Sequence, residues 1–368
     1  MMRYIWQNSN WPVFKYDLSK VQAILHSYES DMNVFSATVD HIQASLSYET
    51  IVDIIVSEAL KTSEIEGEHY SEINVRSSVR NILGLNDIAI NTRDKRAESL
   101  SHLMIDARKT FYKPLTEEML FHWHDLLMKE SKLNPQYVSC WRKGTDPMQI
   151  VSGPIGHEKV HYEAPPSETI TFEMQRFIGW FNNESTNLAG PVRASIAHLY
   201  FEVIHPFEDG NGRIGRIIAE KALSQDLKRP VLISISSEIM KDQKEYYNQL
   251  SRSSNDDIDI TKWINYFVEL IYKAHISSKV KIDFVLQKTK FWHAFDNVLN
   301  ERQKKVISRI FEAGVDGFEG GISAKKYMNI ADCSKATATR DLADLLYKGV
   351  IKPLSFGGKN TSYYMAQI

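Results

Sequence analysis

The 368-residue chain has only two cysteines, Cys140 and Cys333, too few and too far apart for a disulfide framework or a cysteine-built metal site. A reducing compartment is the expectation. No apolar run approaches the roughly 20 residues that span a bilayer, and the opening Met-Met-Arg-Tyr-Ile-Trp-Gln-Asn lacks an apolar signal core. A cytoplasmic protein with no membrane contact is therefore expected. An excess of one charge is missing too: 44 Lys and Arg against 46 Asp and Glu leave −2, so the chain as a whole is no trap for nucleic acid or anionic membrane. A basic patch on one domain stays open. Repeats and low-complexity segments are absent. With 43% hydrophobic residues, the length supports two or three domains with their own cores.

What is present is mostly helical periodicity, so the fold class expected is mainly α. Residues 1–40 carry Tyr4, Trp6, Trp11, Phe14 and Tyr16, and with Pro12 among them they read as an ordered arm pinned by its rings rather than as helix. From about Ser45, Leu46, Ile51, Ile54, Ile55, Leu60 and Ile65 recur at helical intervals, up to a glycine cap at Gly67. Helices are expected over 75–83, 94–111 and 117–129, the last capped by Thr116. Short strands at 148–151 and 159–162 flank Gly153-Pro-Ile-Gly156 as a hairpin. Helices resume over 169–181, 190–204, from Gly212, over 237–251 and over 261–272, and a charged helical connector follows to about Asn300. From Glu301 the order helix, turn, helix, turn, helix and two strands around Phe356-Gly-Gly-Lys359 suggests a winged helix-turn-helix. The division expected is an N-terminal helical region at 1–95, a core at 96–275, the connector at 276–300 and the winged helix at 301–368.

One stretch concentrates chemistry: His205-Pro-Phe-Glu-Asp-Gly-Asn-Gly-Arg-Ile-Gly-Arg216. Backbone N–H groups around Gly210, Asn211 and Gly212, at the start of a helix, form an anion cradle suited to phosphate. Arg213 and Arg216, three apart, leave the same side of the first turn and reach a polyphosphate. Asp209 is a hard oxygen ligand for a Mg²⁺ that also takes phosphate oxygens and water. His205 can take a proton from an attacking hydroxyl near neutral pH. Phe207 points inward and anchors the loop. Singly, these residues read as a capping histidine, surface arginines and a tight turn. Together, between two apolar helical stripes, they read as a phosphate site.

The stretch matches, without departure, the signature His-any-Phe-any-Asp/Glu-Gly-Asn-Gly-Arg-any-any-Arg, and the chain thereby resembles Fic-domain proteins over roughly residues 100–275. The resemblance implies transfer of AMP from ATP to a hydroxyl side chain of a target protein, with release of pyrophosphate. It makes His205 the base, Asp209 the Mg²⁺ ligand, Gly210, Asn211 and Gly212 the anion hole, and Arg213 and Arg216 the clamps on the outer phosphates. The hairpin, with Gln149, Ile150, Val151, Val160, His161 and Tyr162, resembles the family's flap, whose strand edge registers a target segment. Thr62-Ser63-Glu64-Ile65-Glu66-Gly67 reads plainly as a helix end with water-facing glutamates. It also resembles the family's inhibitory motif at Thr62, Glu66 and Gly67, which implies that Glu66 pairs with Arg216 and displaces the γ-phosphate. Tyr247 resembles a tyrosine beside the nucleotide base, with helix packing as its plain reading, and Asn255 stands near a base-contacting asparagine of some relatives.

Partners implied are a target protein, the chain itself as acceptor, and a homodimer. For the tail, Lys335, Arg340, Lys352 and Lys359 suit DNA, while Asp332, Asp341 and Asp344 dilute that patch, so DNA and protein stay equally open. Two other functions stay open as well: transfer of another nucleotide or phosphate-containing group, and a DNA-binding regulator whose Fic domain senses nucleotide. So does a part for Glu66 in removing AMP.

Overall fold

The computed structural model describes residues 4–42, 48–86, 88–152, 159–255, 257–315, 317–354 and 361–366. It divides into two compact units, Met1–Thr38 with Ile51–Ser278, and Val39–Thr50 with Lys279–Ile368.

The first unit is helical around one hairpin. In chain order it holds α1 (Gln22–Ile42), α2 (Tyr48–Ile65), α3 (Glu72–Ile82), α4 (Lys95–Lys109), α5 (Glu117–Met128), β1 (Gln149–Ser152) and β2 (Lys159–Glu163). There follow α6 (Ile170–Asn182), α7 (Gly190–Ile204), α8 (Asn211–Asp226), α9 (Ile235–Lys241), α10 (Gln243–Asn255) and α11 (Thr261–Phe295), with α1, α2 and α11 each running past a unit boundary. Every residue of α7 is buried, so it is the spine of the core. Phe177, Phe181 and Trp263 pack on it, and α8 lies beside it with Ile214, Ile218 and Leu223 inward. Each such side chain stabilises the unit by about 1.5–3 kcal/mol. The loop joining α7 to α8 is thus fixed at both ends.

The aromatic arm is pinned as expected: Trp6 donates to the Glu163 carbonyl (2.8 Å), and Trp11 donates to Glu173 (2.9 Å) while lying edge-on to Tyr200. It is shorter than expected, because α1 begins at Gln22. Val21, Leu25, Tyr28 and Met32 repeat at four and three residues, a helical stripe beyond the reach of Pro12. The single helix expected over 237–251 is two, α9 and α10. Asp242 leaves the helical region (φ −147°, ψ 67°), and its carboxylate accepts from the Glu245 N–H (3.1 Å), closing one helix and capping the next.

In the second unit, α12 (Glu301–Glu312), α13 (Ala324–Ala331) and α14 (Lys335–Tyr347) surround Val306, Ile307, Tyr327, Leu342 and Leu345. The antiparallel sheet runs β3 (Ile322–Ser323), β5 (Ser362–Met365), β4 (Ile351–Pro353) in spatial order. Phe356 to Lys359 lie outside the described residues. Asp341 corrects the surface reading: it is 4% exposed, accepting from Arg302 (2.9 Å) and from the Tyr327 hydroxyl (3.1 Å). Among the described residues no helix is long and apolar enough to cross a membrane.

Candidate active site

Helix α7 ends on His205, whose backbone is left-handed (φ 49°). A non-glycine residue there costs about 1–2 kcal/mol and needs its surroundings to hold it. Arg142 does so. Its backbone N–H donates to the Pro206 carbonyl (2.8 Å), its Nε to the His205 carbonyl (2.8 Å), and its Nη atoms to Ser167 Oγ (2.8 Å) and the Pro165 carbonyl. Phe207 is fully buried and stacks face to face on His124 with centroids 4.1 Å apart. His124 Nδ1 accepts from the Ser139 N–H (2.9 Å), so Nε2 carries the proton and donates to the Asp209 carbonyl (3.2 Å). Asn211 closes the loop, its side chain accepting from the Phe207 N–H (2.9 Å) and donating to the Phe207 carbonyl (2.8 Å).

The same loop delivers α8 end-on. Gly210 has φ 84°, and a Cβ there would press on Leu127 and Met128. The first ladder bond runs from the Ile214 N–H to the Gly210 carbonyl (3.1 Å), so the N–H groups of Asn211, Gly212 and Arg213 precede it as helix-end donors. Of the expected anion hole, Asn211 offers only its backbone, and the Gly210 N–H already donates to Asp209 Oδ1 (2.6 Å). The Asp209 carboxylate is 57% exposed and 3.7 Å from Arg213. No group of three or more His, Cys, Asp or Glu gathers among the described residues. One open carboxylate beside helix-end N–H donors nevertheless fits Mg²⁺, which keeps several waters and needs no all-protein cage.

Helix α2 brings two carboxylates onto this helix end. It closes in a Schellman turn: Gly67 has φ 76°, the Glu68 N–H donates to the Ser63 carbonyl (2.9 Å), and the Gly67 N–H donates to the Glu64 carbonyl (3.0 Å). Arg216, 2% exposed, donates from Nε to Thr62 Oγ1 (2.8 Å) and from Nη2 to the Thr62 carbonyl (2.9 Å) and Glu66 Oε1 (2.8 Å). Burial opposes the charge of Arg216, but Glu66, with Tyr246 and Glu202, outweighs it and keeps the guanidinium pKa raised. A Cβ at Gly212 would collide with Glu66 Oε1, so the carboxylate lies over the first turn of α8. Glu68 takes the other arginine, Arg213 (2.7 Å), along with Arg96 (3.1 Å) and the Tyr70 hydroxyl (2.6 Å). Burial works against the Glu68 carboxylate, yet Tyr70 and the two arginines hold its pKa below the usual range. Sequence reasoning missed Arg142, Glu68 and Glu202. The available signal was position: Glu68 repeats an acid across Gly67, and Glu202 lies one turn before His205.

A cavity of about 580 Å³ opens between this helix end and the hairpin, walled by His205, Gly212, Arg216, Tyr247, Ile150 and His161. Tyr247 faces it while its hydroxyl donates to the Ile65 carbonyl (3.1 Å). Asn255 is not on the wall; its amide donates to the His161 carbonyl (2.7 Å) and ties α10 to β2. In the hairpin Gln149 pairs with Glu163, Ile150 with Tyr162 and Val151 with Val160, with a bulge after Ile150. Tyr162 is an anchor, buried with its hydroxyl donating to the Val203 carbonyl (2.5 Å). The turn expected at Gly153–Gly156 lies outside the described residues.

Two titratable groups stand between cavity and core. Burial drives the His205 imidazole down to about 4, opposed by the Glu202 carbonyl and aided by Arg142, so the ring is neutral at physiological pH. Burial and then Glu66 push the Glu202 carboxyl up to about 8, against Arg216.

Residues 114–223 match the model of the Fic/DOC family, and residues 4–85 match a domain of unknown function, DUF4172. The chain is 28% identical over 140 residues to protein adenylyltransferase fic-1 of Caenorhabditis elegans, which is 38% of this chain and 24% of the relative. It is 36% identical over 95 residues to protein adenylyltransferase Fic of Culex quinquefasciatus, 26% of this chain and 18% of the relative. The matches thus span a quarter or less of these curated relatives. In fold it is similar to a Fic family protein from Desulfovibrio desulfuricans, with TM-score 0.55 and 18% identity over 95% of this chain and 97% of that one. A Fic domain containing signaling protein from Bacteroides thetaiotaomicron gives TM-score 0.51 and 17% identity over 70% and 96%.

Proposed function

Given that the chain carries a Fic/DOC domain, we propose that it is a protein adenylyltransferase held off at rest. It transfers AMP from ATP to a tyrosine, serine or threonine hydroxyl of a target protein or of itself. The observation that carries this reading is the meeting, at one cavity, of a neutral His205 with Gly212 at a helix N-terminus and with Arg216, Arg213 following Gly212 on the same helix turn. The acceptor hydroxyl gives its proton to His205 Nε2, and its oxygen attacks the α-phosphorus. The bond from that phosphorus to the bridging oxygen breaks, and pyrophosphate leaves with the electron pair. The N–H groups of α8 and the two guanidinium groups hold the phosphates and the charge that develops on the leaving group. Asp209 would hold Mg²⁺, which neutralises phosphate charge when bound. The outer edge of β1 registers an extended target segment by main-chain bonds. Glu66 and Glu68 restrain this centre by engaging Arg216 and Arg213.

The test is mass spectrometry of cell lysate incubated with Glu66→Gly protein and isotopic ATP, alongside UTP, GTP and CTP. The expected product is AMP on a hydroxyl side chain, with ATP the preferred donor. His205→Ala should abolish it while ATP binding by calorimetry persists. Undiminished labelling by His205→Ala refutes the assignment of the base.

A further inference from the structure

Glu202 lies one turn before His205 on α7, and no step of the transfer above uses it. It is 8% exposed, between the base and the second arginine. Its Oε2 is 3.8 Å from His205 Nδ1, and its backbone carbonyl is 3.3 Å from the same nitrogen. Its Oε1 has no hydrogen-bond partner among the described residues. Gly215 makes room for it: a Cβ there would lie 2.7 Å from that oxygen. A buried carboxyl oxygen left unpaired calls for a reason, and this one stands at a cavity beside a base.

Nδ1 of His205 lies against the Glu202 backbone carbonyl, which can only accept, so the proton sits on Nδ1 and Nε2 is the basic nitrogen, while the Glu202 carboxyl group stands beside the same Nδ1. We propose that Glu202 is the positioning residue of His205: it holds the imidazole in that tautomer and faces the imidazolium formed when Nε2 takes the acceptor proton. The inference rests on the transfer reading for its kinetic consequence, and on geometry alone for the tautomer. The charged and titratable groups sharing this space are Glu66 at the end of α2, Arg216 from α8, His198 from α7, Tyr246 and Tyr247 from α10, Tyr162 from β2, and Arg142, which faces His205. Glu66 favours the acid form of Glu202 and Arg216 favours the carboxylate. Withdrawal of Glu66 therefore shifts Glu202 toward its carboxylate form, against the burial that still favours the acid, and strengthens the base, so the brake acts on His205 through Glu202 as well as on the phosphates.

The kinetic test compares Glu202→Gln with its parent in the Glu66→Gly background. The expected result is about tenfold lower kcat for ATP labelling, a modest share of what general bases supply. KM for ATP should hold, and the acid limb of the pH profile should move to lower pH, because a lost negative charge weakens the imidazole as a base. Glu202→Asp should recover part of the rate. Unchanged kcat and acid limb overturn the proposal. The second test needs no folded variant at position 202: nitrogen-15 NMR of the histidines in the wild-type chain, with the His205 signal identified by its loss in His205→Ala. A proton on Nδ1 is expected, and one on Nε2 overturns the proposal. If the Glu66→Gly parent does not label with ATP, the transfer reading fails and the NMR result alone decides the tautomer.

Discussion

Replacing Glu66 by glycine should raise ATP labelling by a factor that the structure bounds. Arg216 has three bonds to α2, and only the one to Glu66 Oε1, at 2.8 Å, is lost; both bonds to Thr62 remain. The guanidinium therefore stays aimed at the cavity. The lost contact is a charge-assisted hydrogen bond with one partner at 1% and the other at 29% exposure, worth about 1.5–3 kcal/mol. At 1.4 kcal/mol per tenfold, a central value of about 2 kcal/mol shifts the open population about 30-fold. The assay is the initial rate of label retention from ATP carrying isotope at the α-phosphate. ATP labelled at the γ-phosphate is the control, since that atom leaves with pyrophosphate. The melting temperature of both proteins guards against a weakened α2. An initial rate within about threefold of wild type, below what even 1 kcal/mol would give, refutes the claim that Glu66 restrains Arg216.

Glu68→Gln should raise the same rate several-fold by itself and further when combined with Glu66→Gly, because Glu68 engages the other arginine at 2.7 Å. A fall in rate would mean that Glu68 organises Arg213 rather than restraining it. Wild-type labelling should also climb as pH rises through about 8. Glu66 raises the Glu202 pKa, so by reciprocity an ionised Glu202 repels a seated Glu66. Labelling by Glu66→Gly should climb less and at lower pH, because burial alone still raises the Glu202 pKa, and parallel profiles for the two proteins would refute the coupling.

Much of this site is local in sequence, which is why it was legible there. The loop from His205 to Arg216 carries its own turn residues, its own helix start and both arginines within one stretch, so spacing alone implies their convergence. Glu66 was reachable only through a resemblance, since 150 positions separate it from Arg216 and the string around it is also an ordinary helix end. Arg142 was illegible for the same reason in stronger form: apart from the Ser167 hydroxyl its partners are backbone carbonyls, among them those at 165, 205 and 206, which carry no signal in side-chain pattern. Glu202 was hidden within an apolar stripe, where an acid normally faces water. Helix α1 was missed because aromatic content and Pro12 dominated the reading of its neighbours, although the repeat of Val21, Leu25, Tyr28 and Met32 was present. The shared limit is that periodicity reports which face is buried, not what a polar residue on that face meets.

The glycines of the two motifs do different physical work, and that difference explains how one short turn can govern both arginines. At Gly212 the demand is for space: any side chain would displace the Glu66 carboxylate, and equally a phosphate approaching the same amides. At Gly67 nothing lies within 4 Å of a built Cβ, so the demand there is conformational, for φ 76°. That left-handed residue reverses the chain between Glu66 and Glu68, bringing acids two apart to arginines three apart on α8. Glu64, on the same helix but before the reversal, pairs instead with Lys61 at 2.6 Å. Register within the cap, rather than acidity as such, selects which carboxylates reach the site, and because Glu66 and Glu68 flank the same glycine, unwinding that single turn would withdraw both carboxylates together while the bonds of Arg216 to Thr62 remain.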